Sequence, residues 1–286
     1  MLYGVKNPHG GDRYGDGIAL DFSANVSPLG TPRSVTDAIE RALPELYRYP
    51  DPYCRTLVQT ISEYEGVPKN FVLCGNGASE LIYAYCGAVR PKRAMELAPT
   101  FSEYSLALRR TGCEIVRYAL DQNENFDLRE NFLPFLAREK IDALFLCNPN
   151  NPTSTAITRK DMRLILDVCK QHDIFVMVDE TYVEFAENMD EITAVPLTNF
   201  YNNIIILRGT SKFFAAPGLR LGYAITGNPD LIKAINTRKN PWTINSLAVI
   251  AGELMFTDTD YIEKTKSLIS KAVSYTHLTL PTKLEV

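Results

Sequence analysis

Residues 209–222 read GTSKFFAAPGLRLG and carry the most informative chemical signal in the chain. Lys212 follows two small hydroxyl residues and precedes Phe213 and Phe214. The two aromatic neighbours predict an amine that is partly removed from water, which lowers its pKa. A neutral amine at neutral pH can attack a carbonyl group. An exposed lysine before a Pro-Gly turn explains the segment, taken alone, equally well.

Arg220 lies eight residues after Lys212, among apolar residues and glycines. These surroundings predict a buried guanidinium, which needs an anion such as a phosphate group. A reactive amine and a phosphate-binding arginine in one short segment match pyridoxal 5′-phosphate, which carries an aldehyde and a phosphate. The segment therefore predicts a site for this cofactor.

The composition is that of an ordinary globular protein. The 286 residues are 45% hydrophobic and 22% charged, with a formal net charge of −4. No basic cluster favours nucleic acid or an anionic membrane surface, and the apolar runs are shorter than a membrane span. Residues 1–11 lack the apolar core of a signal peptide, and six scattered cysteines predict free thiols in a reducing cytoplasm. With three histidines, we expect no histidine-based metal site.

Short apolar runs alternate with helical stretches along the chain. The runs predict five strands, at residues 71–74, 143–147, 174–178, 204–207 and 222–225. A helical pattern over 159–172 separates two of them. This alternation predicts an α/β fold with a mainly parallel sheet that helices cover on both faces. In such sheets ligands bind beyond the C-terminal ends of the strands.

Polar motifs follow four of the predicted strands. They are GNGASE at 75–80, NPNNPT at 148–153, DETY at 179–182 and the segment around Lys212. The first offers a helix N-terminus and the Ser79 hydroxyl to a phosphate, although alone it is better explained as a tight turn. Asp179 ends an apolar strand, so it needs a cation such as a protonated pyridine nitrogen. A helix N-cap or a structural ion pair is the alternative for Asp179.

Three further side chains have both a cofactor and a structural interpretation. Asn151 and Tyr182 can hydrogen-bond the phenolic oxygen of the cofactor, and Phe101 can stack on its ring. Turn chemistry for the asparagine and core packing for the two aromatic residues are the alternatives. The combination of five such elements at strand ends favours the cofactor.

Over residues 7–271 the chain resembles the fold-type I pyridoxal-phosphate enzymes of the class I and II aminotransferase family. The matching motifs are YRYPDP at 47–52, GNG at 75–77, NPNNPT at 148–153, DE at 179–180 and residues 212–220. The resemblance implies a fold of this type, with a large cofactor-binding domain and a small domain. It implies that Lys212 forms the Schiff base with the cofactor and that Asp179 pairs with its pyridine nitrogen.

The resemblance also implies roles for residues around the rest of the cofactor. Asn151 and Tyr182 hold its phenolic oxygen, and Phe101 stacks on its ring. Its phosphate contacts four residues: Ala78, Ser79, Ser211 and Arg220. Tyr49 reaches the cofactor of a neighbouring subunit, so a homodimer is implied.

Two branches of the family compete for the function. NPHGG at 7–11, DFSANVSPLG at 21–30, RTGCEI at 110–115 and PWTINSLA at 241–248 resemble threonine-phosphate decarboxylases of cobalamin biosynthesis. Histidinol-phosphate aminotransferases share the cofactor motifs but typically lack the HGG start and the PW segment. The resemblance favours decarboxylation of L-threonine O-3-phosphate to aminopropanol phosphate, with the aminotransferase as the alternative. His9 and Asn25 are candidate contacts of the substrate. The alternatives are packing of the N-terminal arm for His9 and hydrogen bonding within a turn for Asn25.

The sequence pattern divides the chain into four parts. They are an N-terminal arm with part of the small domain at 1–42, the cofactor-binding domain at 43–250, the start of a C-terminal small domain at 251–272, and an anomalous tail at 273–286, of which 273–282 is strand-like. From the resemblance we expect a C-terminally truncated chain, without the arginine that binds the substrate carboxylate in the family. An inactive truncated protein of this fold is therefore a third interpretation. Gly209, where relatives carry Ser or Thr, and Ser154, where they carry Gly, are departures that we expect to be tolerated.

Overall fold

A computed structural model of the chain describes residues 9–12, 14 and 21–283, with side chains through residue 272. It contains a seven-stranded sheet in the order β1–β7–β6–β5–β4–β2–β3. The strands are β1 Val72–Gly75, β2 Arg93–Ala98, β3 Glu114–Ala119, β4 Ala143–Cys147, β5 Phe175–Asp179, β6 Ile204–Gly209 and β7 Gly222–Ile225. Strands β2 to β6 pair in parallel, and β7 is antiparallel to both β1 and β6. The predicted mainly parallel α/β sheet is confirmed.

Helices cover both faces of this sheet. They are α1 Arg33–Ala42, α2 Arg55–Glu65, α3 Gly77–Val89, α4 Glu103–Arg110, α5 Phe132–Arg138, α6 Arg159–Gln171, α7 Met189–Ile192, α8 Pro229–Asn236, α9 Ser246–Met255 and α10 Thr259–Lys283. Alternate residues of a strand enter opposite apolar clusters, because side chains point to alternate faces. On β4, Leu144 and Leu146 join α2, α5, α6 and α9, while Ala143, Phe145 and Cys147 join α3, α4 and α8. Burial on both faces explains why the strand is apolar throughout.

The prediction missed β2 and β3, while the other five strands lie within two residues of their predicted bounds. Charged residues interrupt the apolar pattern in both missed strands. Glu96 of β2 is nevertheless buried, because its carboxylate accepts hydrogen bonds from Ser105 and Arg117 at 2.5 and 2.9 Å. β3 lies at the edge of the sheet, where charged residues on the open side are usual.

The strand-like tail predicted after residue 272 was wrong, since α10 continues to Lys283. A helix satisfies its own backbone hydrogen bonds, whereas an extended tail needs a neighbouring strand. All seven strands of the sheet precede residue 226. The four-part division of the chain stays a prediction. No helix in the described part of the chain is long and apolar enough to cross a membrane.

Candidate active site

A cavity of about 530 Å³ lies where β1, β4, β5 and β6 end at the same edge of the sheet. All but one of the predicted site residues line it. These residues are His9, Asn25, Ala78, Ser79, Phe101, Asn151, Asp179, Tyr182, Ser211, Lys212 and Arg220. The structure therefore brings them together, while their individual roles stay predictions.

Lys212 follows β6 and is half-buried, as its sequence predicts. Phe213 and Phe214 beside it are buried in the core, where their rings pack edge to face with centroids 5.1 Å apart. Burial of the amine, and then the charge of Arg220, lower the pKa of Lys212. A larger fraction of this amine is neutral at neutral pH than for an exposed lysine.

Asp179 ends β5 and is 4% exposed. Its Oδ1 accepts hydrogen bonds from the Thr181 N–H and hydroxyl, at 3.0 and 2.5 Å, and its Oδ2 accepts one from the Tyr104 hydroxyl at 2.9 Å. Burial raises the pKa of Asp179, and the hydrogen bonds from Thr181 and Tyr104 oppose that rise. Because these donors are neutral and no described residue forms an ion pair with it, the carboxylate still lacks a cation.

The first turn of α3 faces the cavity at Ala78 and Ser79, directly after β1. The Asn76 side chain makes no capping hydrogen bond, and the Glu80 carboxylate accepts only the Asn76 N–H at 2.7 Å, so the N–H groups of the first helical residues are available to an anion. Gly77, at φ +78°, lies against Arg220, and a Cβ at this position would collide with the guanidinium. A Cβ on Gly222 would likewise collide with the backbone of the turn. The two glycines therefore let Arg220 and β7 approach the helix N-terminus.

The prediction of a buried Arg220 guanidinium was wrong, because the side chain is exposed. Leu221 enters the core, whereas Arg220, with a left-handed backbone at φ +59°, lines the open cavity. Its Nη1 donates a hydrogen bond to the Pro217 carbonyl at 3.1 Å. The apolar neighbours in the sequence thus belong to the core and do not surround the guanidinium.

Two buried asparagines fix the loop that carries Asn151. The Asn148 side chain exchanges two hydrogen bonds with the backbone of Ile157, at 2.7 and 3.1 Å. Asn150 donates to the Pro99 carbonyl at 3.0 Å and accepts from the Thr100 hydroxyl at 2.8 Å. Asn148 and Asn150 are therefore committed to holding the loop, and Asn151 lines the cavity.

Of the two departures from the family pattern, Gly209 lines the cavity, and Ser154 lies three residues after Asn151, which also lines it. Ser154 has φ +62°, a left-handed conformation that glycine adopts without strain. A Cβ on Gly209 would lie 3.4 Å from the Thr181 methyl carbon and 3.9 Å from the Ala78 Cβ, so a serine would fit there. Neither position clashes, although Ser154 carries backbone strain.

His9 and Asn25 line the cavity and also contact other residues of the chain. The His9 Nε2 lies 2.5 Å from a Glu103 carboxylate oxygen, and its ring centroid is 5.9 Å from that of Phe101. Burial, and then Cys147, raise the pKa of Tyr182, while a hydrogen bond with the Asn25 side chain lowers it. Arm packing of His9 is therefore compatible with a ligand contact, while the ligand-contact and turn-bonding interpretations of Asn25 both stay predictions.

Sequence reasoning missed the residues that hold the predicted ones in place. Tyr104 and Thr181 bond Asp179, Thr100 bonds the asparagine loop, and Glu103 bonds His9. One available signal was the spacing of Phe101 and Tyr104, three residues apart where a helix begins. Their rings meet edge to face, with centroids 5.6 Å apart.

Tyr49 is the predicted site residue that lies outside the cavity. Its side chain is 81% exposed and packs against Trp242, with ring centroids 5.0 Å apart. Leu46, Tyr47 and Tyr53 in the same segment are also exposed. Large apolar side chains are thus open to a partner surface here.

Comparison with known proteins now identifies the family. The aminotransferase class I and II family model matches residues 18–280. The chain belongs to this family. Its members depend on pyridoxal 5′-phosphate, which is therefore the cofactor of this protein as well.

Relatives of both predicted branches are similar to the chain. A protein of Caldanaerobacter subterraneus named putative threonine-phosphate decarboxylase is 37% identical, over 96% of this chain and 74% of its own length. Threonine-phosphate decarboxylase of Salmonella typhimurium is 37% identical, over 86% of the chain and 67% of its own length. Histidinol-phosphate aminotransferase of Bdellovibrio bacteriovorus is 30% identical, over 92% and 72%.

Solved structures confirm the fold. The histidinol-phosphate aminotransferase of Clostridium acetobutylicum superposes with a TM-score of 0.78 at 30% identity, over 85% of this chain and 71% of that one. L-threonine-O-3-phosphate decarboxylase of Porphyromonas gingivalis superposes with a TM-score of 0.73 at 26% identity, over 84% and 73%. The large-domain architecture is thus shared by both branches.

The residues of the cavity fit the cofactor. Asp179 is a buried carboxylate that lacks a cation, which a protonated pyridine nitrogen would supply. The first-turn N–H groups of α3 at Ala78 and Ser79, beside Arg220, suit a phosphate. Lys212 offers an amine with a lowered pKa in the same cavity. The ring nitrogen, the phosphate and the aldehyde of the cofactor therefore each have a complementary group in the chain.

Proposed function

We propose that the protein is a pyridoxal-phosphate-dependent lyase that decarboxylates L-threonine O-3-phosphate to aminopropanol phosphate, a step of cobalamin biosynthesis. The observation that carries the proposal is the convergence of Lys212, Asp179 and Arg220 on one cavity of about 530 Å³. Support for the reaction comes from the two decarboxylase relatives at 37% identity, against 30% for the aminotransferase of Bdellovibrio bacteriovorus.

Five side chains hold the ring of the cofactor in this proposal. Lys212 presents its amine to the aldehyde, and Asp179 pairs with the ring nitrogen. Phe101 stacks on the ring face, while Asn151 and Tyr182 donate hydrogen bonds to the phenolic oxygen. Each of these side chains lines the cavity.

The phosphate of the cofactor binds at the N-terminus of α3. The backbone N–H groups of Ala78 and Ser79 and the hydroxyls of Ser79 and Ser211 donate hydrogen bonds to it. The Arg220 guanidinium adds a charge-assisted contact, for which its exposed position beside Gly77 leaves room. The phosphate thereby anchors the cofactor at the end of the cavity formed by α3 and β7.

When bound, pyridoxal phosphate supplies a ring that takes up the electron pair of the bond broken at Cα. In the decarboxylation this bond joins Cα to the carboxylate, carbon dioxide leaves, and one proton is added at Cα. Lys212 delivers that proton, because its lowered pKa brings the ammonium and amine forms closer in population. His9 and Asn25 contact the substrate phosphate or amine from the N-terminal side of the cavity. If His9→Ala left the affinity for the substrate unchanged, His9 would have no role in substrate binding.

Histidinol-phosphate aminotransferase activity is the competing function. It uses the same cofactor contacts but breaks the Cα–H bond, with Lys212 accepting the proton. The aminotransferase structure at a TM-score of 0.78 favours this candidate. A third candidate is an inactive protein of the same fold that retains these contacts.

One pair of incubations separates the three candidates. The protein and pyridoxal phosphate are incubated with O-phosphothreonine and, separately, with histidinol phosphate and 2-oxoglutarate. We expect carbon dioxide release from the first, whereas glutamate formation in the second would establish the aminotransferase. Cofactor binding without either product would establish the inactive protein. Lys212→Ala serves as the control, since it should release no carbon dioxide.

The proposal includes a homodimer in the cytoplasm. Tyr49, exposed beside Trp242, would reach the cofactor of the second subunit. The six cysteines are all free and buried, which suits a reducing compartment. Sedimentation equilibrium should give twice the mass of the chain, and Tyr49→Ala should weaken cofactor binding. A monomer with full cofactor affinity would contradict the dimer.

A further inference from the structure

The two oxygens of the Asp179 carboxylate are held by different parts of the chain. Oδ1 accepts from the Thr181 N–H at 3.0 Å and from the Thr181 hydroxyl at 2.5 Å. Oδ2 accepts from the Tyr104 hydroxyl at 2.9 Å, across 75 positions of sequence. The Thr181 contacts follow from the local turn after β5. The Tyr104 contact instead depends on how α4 packs on the sheet.

Tyr104 is fixed by its surroundings. Its side chain is 0% exposed, and its ring packs edge to face with Phe101 and tilted against Phe145, with centroids 5.6 and 5.7 Å away. Burial, and then the charge of Asp179, raise the pKa of Tyr104 well above its ordinary value. The hydroxyl therefore stays protonated and donates a hydrogen bond to the carboxylate.

This hydrogen bond acts on a carboxylate that burial would otherwise keep neutral. Burial disfavours the charged form of Asp179, and a hydrogen bond donated to the charged form favours it. A protonated ring nitrogen forms an ion pair only with an ionised carboxylate. We propose that Tyr104 is a positioning residue, whose hydroxyl keeps the Asp179 carboxylate ionised and oriented for the ring nitrogen of the cofactor. The inference rests on the proposed pairing of Asp179 with that nitrogen.

Tyr85 of α3 provides a matched control for Tyr104. It is also 0% exposed, and its ring packs against the same Phe145, with centroids 5.7 Å apart. The Tyr85 hydroxyl has no hydrogen-bond partner among the described residues. Phenylalanine at either position keeps the ring and removes one buried hydroxyl. Only Tyr104→Phe also removes a donor from Asp179.

The experiment compares two cofactors on three proteins. Pyridoxal 5′-phosphate and its 1-deaza analogue, in which carbon replaces the ring nitrogen, are titrated into wild type, Tyr104→Phe and Tyr85→Phe, and dissociation constants are measured by fluorescence. We expect Tyr104→Phe to weaken pyridoxal-phosphate binding roughly tenfold, the effect of one hydrogen bond to a charged group. Its effect on the deaza analogue should be much smaller, because that analogue forms no ion pair with Asp179. Tyr85→Phe should change neither constant.

The outcomes separate this inference from the proposed function. If wild type prefers pyridoxal phosphate and Tyr104→Phe weakens both cofactors equally, or neither, the role of Tyr104 is overturned and the Asp179 pairing stands. A wild type that binds the two cofactors equally, or binds neither, overturns the pairing and the inference together. Circular dichroism of the apo-proteins checks the fold. An unfolded Tyr104→Phe would also overturn the inference, because the role of the residue would then be structural.

Discussion

Asp179 and Glu180, adjacent carboxylates at the end of β5, are both buried but in opposite settings. Asp179 lines the cofactor cavity, where its hydrogen-bond donors are neutral. Glu180 belongs to a buried charge cluster, whose members are Glu65, Glu180, Glu184 and Arg208. Among the described residues, Arg208 thus supplies a cation to Glu180, and none supplies a cation to Asp179. We expect the buried carboxylate that lacks a cation to lie at the binding site, and the paired one to have a structural role.

The buried charge cluster joins α2, the turn after β5, and β6. The Arg208 guanidinium lies 3.0 Å from Glu180, 3.2 Å from Glu184 and 3.6 Å from Glu65, measured between nitrogen and carboxylate oxygen. Burial raises the pKa of Glu180 and raises that of Glu184 to about 7, although Arg208 opposes both shifts. One cation facing three carboxylates therefore favours a retained proton near neutral pH.

The backbone differs between the two regions as well. Ser154, Ala215 and Arg220, near or on the cavity, have φ of +62°, +49° and +59°. Left-handed backbone at residues other than glycine is costly and persists where the surrounding structure holds it. Glu65, Glu180, Glu184 and Arg208 have no positive φ. The cluster therefore lacks left-handed strain, which also occurs at other described residues away from the cavity, such as Asn125 and Asp173.

Arg208→Met is expected to have the largest effect, because it breaks the buried charge cluster. Three buried carboxylates would lose their cation, and such losses cost about 3–5 kcal/mol of unfolding free energy. Urea denaturation measures the loss. Arg33→Met is the control, since Arg33 is exposed and pairs only with Asp37 on the surface, so its stability should stay nearly unchanged. A small loss for Arg208→Met would show that the cluster is not a structural charge site.

Asp179→Asn should affect the ligand and not the fold. The variant cannot form the ion pair with the ring nitrogen, so we expect cofactor affinity to fall at least about tenfold. Stability of the apo-protein should not fall, because an unpaired buried charge is removed. Glu96→Gln, at a buried carboxylate outside the cavity, should leave cofactor affinity unchanged. If the Asp179→Asn apo-protein were destabilised and still bound the cofactor with wild-type affinity, Asp179 would be a structural residue and not a ligand-binding one.

Glu184→Gln should reduce the pH dependence of stability. The folded protein holds the Glu184 proton up to about pH 7, whereas the ordinary pKa of 4.5 applies once it unfolds. Raising the pH through this window releases the proton from the folded state, so the unfolding free energy falls. Glutamine keeps an acceptor for Arg208 and cannot ionise, so the unfolding free energy of the variant should fall less than that of wild type as the pH rises from 4.5 to 7. Urea titrations at several pH values across this window measure the unfolding free energy, and Glu191→Gln, at an exposed residue, is the control. If the unfolding free energies of wild type and Glu184→Gln changed equally with pH, the account would be contradicted.

Ser154→Gly should have the smallest effect, at the strained edge of the cavity. Glycine adopts the left-handed backbone freely, but it gains entropy in the unfolded chain, so we expect a net stabilisation of about 0.5 kcal/mol. Thermal unfolding of the apo-protein measures it. A variant less stable than wild type would show that the serine side chain outweighs the strain.

Much of the fold and of the cavity is readable from the sequence, because local patterns encode both. Apolar runs such as Ala143–Cys147 predict buried strands, and polar motifs directly after them predict a site at one sheet edge. The Tyr104–Asp179 hydrogen bond spans 75 positions and is set by tertiary packing, which no local pattern encodes. Arg208 is equally hidden, because its partners come from α2 and from the turn after β5.

Covalent trapping of the cofactor tests the central claim most directly. The protein is incubated with pyridoxal 5′-phosphate, reduced with sodium borohydride, digested and mapped by mass spectrometry. We predict one cofactor label on Lys212 in wild type and none at this position in Lys212→Ala, because the half-buried amine with a lowered pKa lies in the cavity with Asp179. A label confined to other lysines, or no label at all, would contradict the account.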